Sequence, residues 1–88
     1  MTVSIGDVKA ELRNGNQSLN QAKTTIEGIG ADLAEVSSLA LATLHDSQHP
    51  EAKEARRALA DATREVELTL RTVAAAKDGA TAFLKALG

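Results

Sequence analysis

Cysteine, tryptophan and tyrosine are absent from the 88 residues, and proline, phenylalanine and methionine occur once each. Without cysteine there is no disulfide scaffold and no Cys-ligated zinc fold. A single aromatic residue, Phe83, argues against a β-sandwich or barrel, whose strands draw on Val, Ile, Thr, Tyr and Phe in short alternating runs. Charge of one sign is also lacking. Ten basic residues stand against twelve acidic ones, net −2, which gives no ground for a nucleic-acid binder. Long apolar runs are missing too. The uncharged stretch from Val36 to Leu44 contains Ser37, Ser38 and Thr43 and is far shorter than the roughly 20 apolar residues of a membrane span. The opening MTVSIGDVKAEL has no basic stretch followed by an apolar core, so a cleaved signal peptide is not expected. The expected location is the cytoplasm, or outside the cell without a cleaved signal peptide.

What is present is alanine, 17 residues of it, in a chain of one small domain. A domain of this size buries only about 60–65% of its unfolded surface when compact. Alanine adds little apolar area to that. Stability is therefore expected to depend on association with a second chain.

Two long helical segments flank one break, His45-Asp46-Ser47-Gln48-His49-Pro50. Pro50 suits the first position of a helix, where its missing N–H costs nothing, and Glu51 and Glu54 suit the positive end of the helix dipole. Ser47 or His49 can cap that helix. Ser4 followed by Asp7 marks the start of the first segment. Its apolar residues follow a 3-4 spacing: Ile5, Leu12, Leu19, Ile26, Leu33 and Ala40 at heptad position a, with Val8, Gly15, Ala22, Ile29, Val36 and Thr43 at d. The second segment places Ala52, Leu59, Val66, Val73, Ala80 and Leu87 at a, and Ala55, Ala62, Thr69, Ala76 and Phe83 at d. The phase runs unbroken through Asn14-Gly15-Asn16 and Gly28-Ile29-Gly30, which predicts a continuous first helix with Gly15 as its weak spot.

The predicted fold is all-α: a single helical-hairpin domain over 1–88, with helices over about 5–44 and 50–87 and a bend at 45–49. The short connection makes the helices antiparallel neighbours. Residues whose numbers sum to about 94 should then face each other, Ile26 near Leu68 and Leu70, Leu33 near Asp61 and Ala62. The a and d positions are expected to form the internal seam.

The apolar face of the second helix is broader than that seam. With Leu68, Leu70 and Leu84 added, it spans roughly 200° of the circumference, more than one partner helix covers. Leu39, Leu41 and Leu44 add to it near the bend. Leu68, Leu70, Phe83, Leu84, Leu87, Leu39, Leu41 and Leu44 are thus the expected interface, for a homodimer or a helical protein partner and most simply in a four-helix bundle. Other chemistry has less behind it. His45 and His49 are spaced four apart with Asp46 and Glu51 nearby, a pattern that could hold a metal on a continuous helix. The capping pattern at Pro50 argues against that continuity, and no cofactor is expected. Ser37 and Ser38 have no histidine near them in sequence. The row Arg57, Arg64 and Arg71 is offset by Glu54, Asp61, Glu65 and Glu67, as on a solvated helix face. Nothing here points to an enzyme.

A chain of under a hundred residues built as helix, short bend and helix resembles the secreted hairpins of the ESAT-like/WxG family. Its Ala-, Thr-, Asp- and Arg-rich composition, the His49-Pro50 bend and the tail AAAKDGATAFLKALG look like small actinobacterial helical-hairpin proteins of unknown function. The bend has no Trp-x-Gly and the tail has no Tyr, the two motifs of the WxG family. The resemblance implies pairing into a four-helix bundle and export through a type VII-like system, as a small substrate or partner protein.

Overall fold

The structure, a computed structural model, describes residues 3–88 and consists of two helices joined by a short bend. Helix α1 runs Ile5–Leu44 and helix α2 runs Pro50–Ala86. They lie antiparallel in a hairpin with Cα extents of 64 × 23 × 16 Å. The all-α class is the one expected, α2 ends at Ala86 with Leu87 as its cap, and α1 passes through Gly15, Gly28 and Gly30 without a break.

Local chemistry explains both starts. Ser4 caps α1 in a reciprocal box: the Asp7 N–H donates to Ser4 Oγ at 3.1 Å, and the Ser4 N–H donates to Asp7 Oδ2 at 3.3 Å. Pro50 opens α2 at its first position. His49 occupies the cap position with extended backbone but makes no side-chain capping bond, while Ser47 Oγ accepts the His49 N–H at 3.3 Å. Of the two capping candidates, one supplies the position and the other the oxygen.

The register differs from the expectation. Asn16 Nδ2 donates to Thr81 Oγ1 at 3.2 Å, and Gly30 lies against Val66. Residues level with one another therefore have numbers summing to 96 or 97 rather than 94. Ile26 is level with Leu70 and Arg71, Leu33 with Thr63 and Arg64. The cause is an asymmetric bend. His45 keeps helical backbone angles and donates to the Leu41 carbonyl, and the Ser47 N–H donates to the Leu44 carbonyl. The chain stays coiled past Leu44 and reverses only at residues 47–49.

The seam differs as well. The half-buried residues of α1 include Leu12, Leu19, Ile26, Leu33 and Ala40 at a, as expected, but then Asn16, Gly30, Ser37 and Leu44 at e. In α2, Leu59, Val66, Val73 and Ala80 at a are joined by Leu70, Lys77 and Leu84 at e. Gly15, Ile29, Val36 and Thr43, expected inside, are exposed, as are Thr69, Ala76 and Phe83. The helices are rotated so that a and e meet while most of the d row stays open. One contact and one clamp hold this rotation. Gly30 lets Val66 approach closely, since a Cβ at residue 30 would lie 3.2 Å from Val66 Cγ1. Arg56, at e, donates to the Leu44 carbonyl and, at 3.4 Å, to the Ser47 carbonyl, tying the start of α2 to the end of α1.

Candidate interaction surface

Among the described residues only Ala52 is buried. Two helices side by side cannot enclose a core, because each keeps at least half of its circumference in water. The chain exposes 6494 Å². A compact protein of this mass exposes about 4,900 Å². The hairpin thus carries an excess of about 1,500 Å² over a compact fold.

The eight expected interface residues divide into two groups. Leu39, Leu41, Leu68 and Phe83 are exposed, from 44% at Leu68 to 66% at Leu39. Leu44, Leu70, Leu84 and Leu87 are half-buried and share heptad positions with the seam, so the hairpin's own helices already cover much of them. Sequence reasoning missed Ile29 and Val36 as surface residues, each 52% exposed. They sit at d, and their type alone gave no reason to set them apart from Leu33.

The hairpin has two broad sides with different chemistry. One is built from e and b positions. Every side-chain hydrogen bond between the helices among the described residues lies there: Asn16 to Thr81, and Arg56 to the Leu44 carbonyl, with Lys9 reaching the Gly88 carbonyl just beyond α2. It also holds an open cleft of about 340 Å³ lined by Ser37, Leu41, Arg56, Leu59, Ala60 and Thr63. Ser37 Oγ is shielded from water and has no hydrogen-bond partner. No histidine or carboxylate lines this cleft, so Ser37 has no base to activate it.

The other side is built from d and g positions of both helices; no d residue is charged, and the g row at its margin holds Glu11, Asp32 and Glu65. The two threonines of the d row turn their hydroxyls inward along their own helices: Thr43 Oγ1 donates to the Leu39 carbonyl at 3.1 Å and Thr69 Oγ1 to the Glu65 carbonyl at 2.8 Å. Neither hydroxyl proton needs water or a partner.

The bend histidines do not share a helix. His45 ends α1 and His49 precedes α2. Each lies beside its own acid, His45 Nε2 at 3.0 Å from Asp46 Oδ2 and His49 Nδ1 at 3.4 Å from Glu51 Oε2, all well exposed. Among the described residues no three His, Asp or Glu side chains converge as a metal site would require. The arginine row behaves as a solvated face, with Arg64 paired to Asp61 at 3.1 Å. No helix is long and apolar enough to cross a membrane among the described residues. No family model, curated protein or solved structure matches the chain.

Proposed function

We propose that the chain is a non-catalytic protein–protein interaction module, a helical hairpin that docks onto helical protein surface. The observation that carries this reading is the near absence of a closed core. Among the described residues one is buried, while Ile29, Val36, Leu39 and Phe83 stand half or more open to solvent. Exposed apolar surface on this scale is a feature of interaction sites. The charged stripe with Arg57, Arg64 and Arg71 keeps the outer side of α2 wet and the assembly dispersed.

The lack of native cysteine provides the test. Val36→Cys and Arg57→Cys each introduce a single thiol at an exposed position. In the protein's native setting, Val36→Cys should react with a maleimide about tenfold more slowly than in the dilute purified chain, and Arg57→Cys at the same rate in both. Equal rates for Val36→Cys in the two settings would mean that nothing covers the surface.

A further inference from the structure

We infer that the occupant of the open d side is a second copy of this chain, packed face to face so that the d rows of two hairpins close a four-helix core. This rests on the interaction reading above and adds the surface and the partner. Three observations converge on it.

The first is the rotation of the helices. A 3-4 apolar pattern provides two buried rows per helix. The hairpin consumes the a row and borrows e, leaving Ile29, Val36, Ala76 and Phe83 unpartnered. In an antiparallel pair the d rows of both helices fall on the same broad side, where residues 15, 29, 36 and 43 of α1 and 69, 76 and 83 of α2 are exposed. A lone helix would cover half the width of that side. Another hairpin covers all of it.

The second is area. The hairpin's excess over a compact fold, about 1,500 Å² across its whole surface, leaves room for the roughly 800 Å² that each partner contributes to a stable interface. The third is charge and relief. The d row carries no charge, so the centre of the face meets its own copy without like-charge repulsion, and the acidic Glu11, Asp32 and Glu65 lie at its g margin. In the observed register Phe83 lies nearly level with Gly15, and Val36 nearly level with Ala62, so large and small residues alternate across the face. Such a surface can interdigitate with itself. The e side lacks these properties, because Lys9, Lys23, Arg56 and Lys77 lie along it.

The test uses the whole chain and the lack of native tryptophan. Sedimentation equilibrium of the purified protein should give twice the chain mass at micromolar concentration. In Phe83→Trp, an aromatic exchange that keeps the face apolar, emission should shift to the red on dilution in step with the fall in mass. In Leu68→Trp, outside the d row, emission should stay red throughout. Ile29→Asp should sediment as monomer, while Leu68→Asp keeps the dimer. A parent chain that stays monomeric at about 100 µM overturns the proposal. So does a dimer whose dissociation is followed by Leu68→Trp instead of Phe83→Trp. A monomeric parent with Val36→Cys still shielded in the native setting would leave the docking module standing with a different partner.

Discussion

Gly28 and Gly30 stand two residues apart on α1 and have opposite surroundings. A Cβ added at Gly28 meets nothing within 4 Å, whereas one at Gly30 meets Val66 Cγ1 at 3.2 Å. Interior helical glycine costs about 1 kcal/mol relative to alanine. Gly28→Ala should therefore stabilise the chain by up to about 1 kcal/mol in urea unfolding. Gly30→Ala should return less than that or destabilise, because the gain in propensity is offset by pushing Val66 out of the seam. Equal gains from both would mean that the helices do not approach closely at residue 30. Ser4 is a second single-residue test. Ser4→Ala removes one half of the capping box and should cost about 1 kcal/mol locally. The readout is amide exchange at Asp7, which should quicken severalfold while exchange at mid-helix amides stays unchanged.

At the scale of elements, the bend is organised by Arg56. Its guanidinium reaches two carbonyls, that of Leu44 at the end of α1, which also accepts the Ser47 N–H, and that of Ser47 in the bend. Arg56→Ala should cost about 1–2 kcal/mol, since bonds to a charged donor are the stronger kind. Arg56→Lys should recover only part of this, because one ammonium does not fork across two acceptors as a guanidinium does. Full recovery by lysine would show that charge alone matters there.

The element boundaries were legible in the sequence because their signals are local: Ser4 with Asp7 at one start and Pro50 at the other. The neighbours of each face were not legible. Whether a meets d or e across the seam is a choice between helix rotations, and the 3-4 pattern fits both. It is settled by Gly30 against Val66 and by the Arg56 clamp, contacts between residues 36 and 12 positions apart that no periodicity contains. Ile29 and Val36 were consequently placed inside, and Leu70 and Leu84 outside, from the same apolar pattern. The register slipped for a related reason, since nothing in His45-Asp46-Ser47 announces that the chain stays coiled before it reverses.

For the molecule as a whole, the governing fact is an elongated hairpin with one buried residue among those described. Helices of 40 and 37 residues bury a single shared seam, and the stability of such a pair is marginal without further packing. Association coupled to folding makes stability depend on concentration by mass action. The most direct measurement is the thermal unfolding midpoint by circular dichroism at 222 nm, taken from roughly 1 to 100 µM chain, a range over which a coupled dimer gains about 2.7 kcal/mol. The midpoint should climb by several degrees across that series. A cooperative transition at one unchanging temperature, from a chain that is fully helical at every concentration, would contradict the account.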